Sequence, residues 1–334
     1  MEYQGRFNND YISNDGESYI TKYSLNNMDK KLPLRVLSQS DWIHWKEYGF
    51  VIVKDAITKG HAESILDTAC DFQGVDRNNL DSFYQEKHFD NDLEQQLHIY
   101  GFIEMYQHQL LWDARQNERV YNAFVDIWDT EELWTTLDRV NVNPPNVRNR
   151  SRSLIPQTDR GFDISLHWDV ETTNRYKPQR VQGIIALNDF TDEVGGFQCS
   201  PSLFSQYDEW VKTQPDNRDP VRPTIDTDEY PIIIPKLSAG DLLIFNGWLA
   251  HGVGPNSSDK DIRACQYLSM MPALNHNEKL RESRIESWKS LKTPCWNSTL
   301  IGDKYKHESE RYNKATLTPL GEKLLGLKTW EAGL

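Results

Sequence analysis

The stretch 239–267, AGDLLIFNGWLAHGVGPNSSDKDIRACQY, decides the fold because two strand-like runs alternate with turn-forming residues. The first run, DLLIFN, is mostly apolar and is followed by a Gly-Trp turn that leads to His251. A segment rich in Gly, Pro, Asn and Asp then precedes a second run from Ile262 to Met271. Short strands separated by such clusters are typical of a β-sandwich or barrel.

Further short strands are predicted upstream of this stretch. They are LDRVNVN (137–143), FDISLHW (162–168), VQGIIALND (181–189), FQCS (197–200) and YPIIIPKL (230–237). Turn residues separate the runs, as expected for strands of one all-β core. Residues 204–229 are polar and rich in Pro and Asp, which predicts an insertion between two strands.

The N-terminal third has helical patterns instead. Ser38 and Asp41 resemble a capping box, which predicts a short helix, DWIHWKEY, that ends at Gly49 and leads into a strand over 50–53. Apolar residues recur at helical spacing over 62–70 and again over 120–128. Residues 277–290 and the segment GEKLLGLKTW predict further helices near the C-terminus.

The domain organisation follows from these patterns. We expect an irregular N-terminal arm over residues 1–32 and one domain over 33–334. That domain divides into a helical part (33–135), a β core (about 136–275) and a C-terminal helical extension (276–334). A chain of 334 residues is long enough to bury a substantial core.

Composition limits the possible partners. The net charge of −13 is opposite to the basic footprint of a nucleic-acid binder and disfavours anionic membrane surfaces. The four cysteines (Cys70, Cys199, Cys265 and Cys295) have no CxxC spacing, so we expect reduced structural thiols. Without a secretory signal or an apolar run of ~18 residues, the sequence predicts a cytoplasmic enzyme with a small-molecule substrate.

The HWD triplet contains two candidate metal ligands. Side chains two apart on a strand share a face, so His167 and Asp169 can approach one ion while Trp168 points away. With His251 they form a two-histidine, one-carboxylate set, which is typical of Fe(II) oxygenases but is also used by zinc hydrolases. The alternative is that the HWD residues are surface polar groups and His251 is a satisfied core histidine.

Arg263 favours iron with a dicarboxylate cosubstrate. It follows His251 in the next strand-like run, which places a guanidinium deep beside the metal. Arginine grips a carboxylate through two parallel N–H bonds, so it suits the far end of a 2-oxo dicarboxylate that chelates iron. A zinc hydrolase has no need for this arrangement. The alternative is that Arg263 forms a surface ion pair.

In its ordered combination of motifs, the chain resembles the phytanoyl-CoA dioxygenase (PhyH-like) family of Fe(II)/2-oxoglutarate enzymes over roughly residues 33–275. The segments that carry the resemblance are LSQSDWIHWKEYGFVIVKDAI, then HWD with IIALNDFTDEVGGFQCSPS, and finally AGDLLIFNGWLAHGVGPNSSDKDIRACQY. The sequence departs from the family where Pro201-Ser-Leu-Phe204 replaces a common Pro-Gly-Ser-His turn.

The resemblance implies a double-stranded β-helix (jelly-roll or cupin-like) core buttressed by N-terminal helices. It also implies Fe(II) at His167, Asp169 and His251, with O₂ and with 2-oxoglutarate bound by Arg263. Some relatives use an asparagine that corresponds to Asn141 for 2-oxoglutarate, although a strand-end polar residue is an equal alternative. The expected reaction is hydroxylation of an aliphatic C–H bond, with desaturation, cyclisation or epoxidation as alternatives. Remoter alternatives are another cupin-like metalloenzyme and an inactive binding module.

Most of the candidate substrate-binding residues are basic. Loop 146–163 contains four arginines, Arg148, Arg150, Arg152 and Arg160, just before the HWD triplet. These arginines are candidates for holding a carboxylate or phosphate of an anionic substrate, and the alternative is a solvated basic loop. Phe162 and Trp248 are further substrate candidates, for which core packing is the alternative.

Overall fold

The computed structural model describes most of the chain. The described residues are 25, 30–85, 87–145, 166–170, 172–173, 180–222, 224–293 and 301–330. Most of the predicted arm over 1–32 lies outside the described residues, and so does Cys295. The division into domains stays a prediction. Cys70, Cys199 and Cys265 are buried thiols that form no disulfide with one another.

Helices flank the β core on both sides in sequence. Those of the described chain are α1 (Gln39–Tyr48), α2 (Lys59–Gln73), α3 (Asp92–Ile99), α4 (Gln109–Arg115), α5 (Glu118–Trp128), α6 (Pro201–Ser205), α7 (Tyr207–Trp210), α8 (Glu278–Ser290), α9 (His307–Arg311) and α10 (Pro319–Leu325). Two 3₁₀ turns cover Leu80–Tyr84 and Val211–Thr213. None of the described helices has the length and apolar character needed to cross a membrane.

The strands found among the described residues form three sheets. They are β1 (Phe50–Val53), β2 (Phe102–Ile103), β3 (Leu133–Thr135), β4 (Val140–Asn143), β5 (Val181–Ala186), β6 (Phe197–Cys199), β7 (Leu242–Asn246), β8 (His251–Val253), β9 (Arg263–Tyr267) and β10 (Met270–Pro272). The large sheet has the order β1-β7-β5-β9-β4-β2, while β6 pairs with β8 and β10 with β3. All the pairings among these ten described strands are antiparallel.

The large sheet and the β6–β8 sheet enclose a shared interior. Ile184, Phe245 and Cys265 of the large sheet belong to the same buried cluster as Phe197 and Cys199 of β6. Side chains on the opposite face of the large sheet pack against the N-terminal helices in a second, larger cluster. This arrangement of two facing antiparallel sheets with flanking helices is the predicted double-stranded β-helix.

Short-range sequence patterns predicted the positions of α1 and β1 correctly. Ser38 and Asp41 form the predicted capping box, and Gly49 ends the helix with a left-handed φ of 77°. A side chain at Gly49 would also meet the ring of Phe204 at 2.8 Å. The strand begins directly after this glycine and pairs with β7.

Two strand predictions need correction. YPIIIPKL forms only isolated bridges at Ile233 and Leu237, because Pro231 and Pro235 lack the N–H groups that a longer ladder requires. The run from Ile262 to Met271 is divided between β9 and β10, which belong to different sheets. Within FDISLHW, the described part forms a single bridge at His167.

Candidate metal centre

His167 and His251 face each other across two neighbouring extended segments. The N–H of His167 donates to the carbonyl of His251 at 2.8 Å, and the reverse bond is 2.9 Å. Directly opposed residues of an antiparallel pair project side chains to the same face. Their imidazole centroids are accordingly 4.7 Å apart.

Asp169 completes the cluster with these two histidines. Its Oδ1 is 3.5 Å from Nε2 of His167, and its Oδ2 is 3.3 Å from Nε2 of His251. One ligand atom from each residue lies within 4.8 Å of the others, so the three residues could hold a metal ion. The structure therefore brings together the three residues that the sequence selected as ligands.

The electrostatics suit a metal site. Burial acts to raise the pKa of Asp169, but hydrogen bonds to His167 and His251 outweigh it and leave this pKa well below its usual range. Burial lowers the pKa of His167, and the positive charge of Arg222 adds to this shift. Near pH 7, Asp169 is thus ionised and His167 is neutral, which are the protonation states that metal binding requires.

Two further contacts orient the ligands, and neither was predicted from the sequence. Nδ1 of His251 lies 2.8 Å from the carbonyl oxygen of Leu249, which leaves Nε2 for a metal. The side-chain amide of Gln182 on β5 donates to Oδ2 of Asp169. The only signal for Gln182 in the sequence is a polar residue near the start of an apolar strand.

Trp168 points away from the cluster, as predicted. It is fully buried, and its indole N–H donates to the carbonyl of Trp248 at 2.9 Å. Its ring packs edge-on against Tyr207 and Trp210 of the insertion. The backbone N–H of Trp168 donates to Val221 at 2.8 Å, so the insertion supports the segment that contains His167 and Asp169.

Arg263 is the first residue of β9 and is buried, with 7 % of its surface exposed. Its Nη1 donates to the carbonyls of Val194 and Gly254, at 3.2 and 2.7 Å. Among the described residues it forms no ion pair with a carboxylate. Cys265 lies on the same face of β9 as Arg263 and belongs to the interior cluster that also contains Phe197. The ring of Phe197 stacks on His251, with centroids 5.7 Å apart.

Asn141 pairs with Cys265, which is two residues after Arg263 on β9. Asn141 and Arg263 therefore lie on the same interior face of the sheet. Its Nδ2 donates to the carbonyl of Tyr100 at 2.6 Å, and its Oδ1 accepts from Asn143. Asn143 pairs directly with Arg263. The predicted role of Asn141 in binding 2-oxoglutarate stays a prediction.

The remaining predicted site residues are placed differently or are not described. Trp248 packs edge-on against Tyr207 at 5.3 Å, in the aromatic cluster of Trp168, and its predicted role in substrate binding stays a prediction. Arg148, Arg150, Arg152, Arg160 and Phe162 lie outside the described residues. Their roles in substrate binding stay predictions.

The donor set fits an oxygenase iron. Two imidazoles and one carboxylate on one side of an ion leave the opposite face open for a chelating cosubstrate and O₂. Arg263 supplies a buried, permanently protonated guanidinium, although burial lowers its pKa. Burial of a cation without a carboxylate partner costs free energy, and the carboxylate of a bound ligand would offset that cost.

Comparisons with known proteins agree with this fold and site. The family model for phytanoyl-CoA dioxygenase (PhyH) matches residues 45–265. "Ava biosynthesis cluster protein O" of Aspergillus versicolor is 21 % identical over 250 residues, which are 71 % of this chain and 78 % of that protein.

Two solved structures share the fold over most of the chain. The putative oxidoreductase from Salmonella typhimurium LT2 has a TM-score of 0.60 and 15 % identity, with 87 % of this chain and 83 % of that chain covered. GlcNAc Inducible Gene 2 (DUF1479) from Candida albicans has a TM-score of 0.59 and 14 % identity, with 97 % and 83 % covered.

The fold and the His–Asp–His cluster define the class of non-haem iron oxygenases with a double-stranded β-helix. The chain belongs to the phytanoyl-CoA dioxygenase family, whose model covers most of its length. It is therefore an oxidoreductase of the 2-oxoglutarate-dependent dioxygenase type, as the sequence predicted.

Proposed function

We propose that this dioxygenase hydroxylates an aliphatic C–H bond of a small-molecule metabolite, with release of succinate and CO₂. The observation that carries the proposal is the cluster of His167, Asp169 and His251 in a barrel that also buries Arg263. In the proposed assignment the first three residues bind Fe(II), and Arg263 binds the far carboxylate of 2-oxoglutarate.

The chain's own residues bind, orient and protect the reactants. The imidazoles and Asp169 hold the metal on one side, and the guanidinium of Arg263 fixes the cosubstrate in one orientation. Phe197 and Phe245 pack around His251 and exclude water from that side. When bound, Fe(II) and 2-oxoglutarate supply the oxidative chemistry: one oxygen atom of O₂ enters succinate and the other enters the product.

Desaturation, cyclisation and epoxidation use the same metal and cosubstrate and are the alternatives to hydroxylation. The relative named after a biosynthesis cluster supports a biosynthetic role. We further propose an anionic substrate, held by Arg148, Arg150 and Arg152, and a cytoplasmic location.

An anaerobic titration tests the cosubstrate assignment. Addition of Fe(II) and then 2-oxoglutarate to the full chain should produce a visible metal-to-ligand charge-transfer band. Arg263→Gln removes a charge-assisted, bidentate contact, so the dissociation constant of 2-oxoglutarate should rise about 10- to 100-fold. Fe(II) affinity should stay unchanged, because Arg263 is not a ligand.

Arg119→Gln, an exposed arginine on α5, is the matched control and should leave both affinities unchanged. Absence of the band in the wild type would refute the cosubstrate assignment. Equal 2-oxoglutarate affinity in Arg263→Gln and wild type would refute only the role of Arg263.

A second experiment addresses the substrate. Succinate release, measured across a metabolite panel, should identify molecules that couple to cosubstrate turnover. Simultaneous replacement of Arg148, Arg150 and Arg152 by Gln should raise KM for an anionic substrate and leave the 2-oxoglutarate affinity unchanged. An unchanged KM would remove these arginines from the proposal.

A further inference from the structure

Gln182 touches a metal-ligand residue without being a candidate ligand itself. Its Nε2 donates to Oδ2 of Asp169, the oxygen that also lies 3.3 Å from Nε2 of His251. An ionised carboxylate has only acceptors, so the NH₂ end of the amide must be the end that faces it. The orientation of the Gln182 side chain is therefore determined by its partner.

The strand that contains Gln182 holds it firmly. β5 lies inside the large sheet, between β7 and β9, and Gln182 pairs with Phe245 of β7. The ring of Phe245 in turn packs against His251, with centroids 4.6 Å apart. One cross-strand pair thus contacts two of the three candidate ligands.

The polarity of Gln182 is unusual for its position. Ile184 and Ala186, the next two residues on the same face of β5, are apolar and belong to the interior cluster. A polar side chain at the edge of such a cluster is costly unless it is hydrogen-bonded, and Asp169 provides the bond.

We infer that Gln182 is a positioning residue that keeps Asp169 monodentate toward the metal; this inference rests on the proposed function. A carboxylate can bind an ion through one or both of its oxygens. The amide occupies Oδ2 and disfavours its use as a second ligand atom. A bidentate Asp169 would take one of the open positions that the chelating cosubstrate and O₂ both need.

The same hydrogen bond restricts rotation of the carboxylate. Partners that orient metal-binding carboxylates and imidazoles typically contribute 10- to 100-fold, as an order of magnitude, to metal affinity. Loss of the Gln182 amide should therefore weaken metal binding and, separately, reduce access of a third ligand to the loaded centre.

The test is Gln182→Met, which keeps the length of the side chain and removes its donor. Anaerobic calorimetry with Fe(II) alone should show a dissociation constant raised roughly 10- to 100-fold. Nitric oxide, a probe that binds where O₂ would, should bind the Fe(II)–2-oxoglutarate form of the variant more weakly, as followed by its EPR signal. Neither readout depends on turnover.

Gln266→Met is the matched control. Gln266 is a buried glutamine of β9 on the opposite face of the same sheet, and it donates to the carbonyl of Leu111 at 3.2 Å. Its replacement also removes a buried amide donor, so it reports any stability loss, but the affinities for Fe(II) and nitric oxide should match the wild type.

The outcomes separate the two proposals. If wild-type protein binds no Fe(II), the proposed function fails. If wild type binds Fe(II) and Gln182→Met binds both probes equally well, the role of Gln182 is overturned and the proposed function stands. An equal loss of affinity in Gln182→Met and Gln266→Met would reveal a general effect on folding and would also overturn it.

Discussion

Glu308 shows how burial changes the chemistry of a single residue. Its carboxyl group is fully buried and accepts the backbone N–H of Gln107 at 2.7 Å. Burial raises its pKa to about 7, against the opposing effects of these backbone bonds and of Arg115, while Asp303 adds to the increase. Glu308 therefore changes charge close to neutral pH.

This shift predicts a pH-dependent stability. Because the folded-state pKa of about 7 lies above the ordinary 4.5, the folded protein retains a proton that the unfolded chain releases. The stability contributed is present below about pH 4.5 and is lost as pH rises through 7. Glu308→Gln keeps the acceptor for Gln107 but does not titrate.

Urea unfolding at several pH values measures this effect. The stability of wild type relative to Glu308→Gln should fall by roughly 3 kcal/mol across this pH interval, at ~1.4 kcal/mol per pKa unit. Glu310→Gln, on the same short helix but exposed, should track the wild type. A constant difference between wild type and Glu308→Gln would contradict the prediction.

At the scale of elements, the insertion over residues 204–229 supports the segment that contains His167 and Asp169. Arg218 donates to both oxygens of Thr172, at 2.8 and 3.1 Å, and to the hydroxyl of Tyr207 at 2.8 Å. Its guanidinium lies over the rings of Trp168 and Trp210. A segment that the sequence defined only as polar thus stabilises the residues around the metal cluster.

Replacement of Arg218 tests this support. Arg218→Ala removes several hydrogen bonds from the cluster and should cost about 1–3 kcal/mol of stability. The affinity for Co(II) should also fall, because the segment that contains His167 and Asp169 would no longer be packed against Arg218. Arg218→Lys should recover little, since an ammonium group does not reproduce the planar fork.

Stability is measured by urea unfolding and affinity by Co(II) titration. Lys212→Ala, which removes an exposed ion pair with Glu209, should change stability by less than about 0.5 kcal/mol. Wild-type Co(II) affinity in Arg218→Ala would show that the insertion does not support the ligands.

At the scale of the whole molecule, the C-terminal helices are built into the fold. Arg284 of α8 donates to the carbonyls of Thr135, Leu324 and Leu325, at 2.6, 3.0 and 2.9 Å. Leu325 of α10 is fully buried in a cluster with Trp112 and Trp288. These contacts join α8, α10, β3 and α4 around one small core.

Leu325→Ala should therefore destabilise the whole protein. A buried leucine truncated to alanine costs about 2–5 kcal/mol, because apolar contacts are lost and a cavity remains. Chemical unfolding should show one transition at lower urea, with Fe(II) affinity of the folded protein unchanged. Lys328→Ala, an exposed control, should have little effect. If Leu325→Ala instead affected only a separate, minor unfolding transition, the C-terminal helices would fold independently of the rest.

Local patterns in the sequence determined much of this fold. The capping box at Ser38 and the apolar spacing in α2 and α5 predicted helices that the structure contains. These signals succeed because capping and amphipathicity depend on residues within a few positions of each other. YPIIIPKL was misassigned because its apolar character suggested a strand while its prolines prevented an extended ladder.

The candidate metal residues were also selected from the sequence alone. Spacing by two placed His167 and Asp169 on one face, because strand side chains alternate. Only the tertiary structure decided that His251 pairs with His167 and that Gln182 holds Asp169. Those contacts join residues on different segments of the chain, and sheet register, a property of the packed molecule, determines which of them meet.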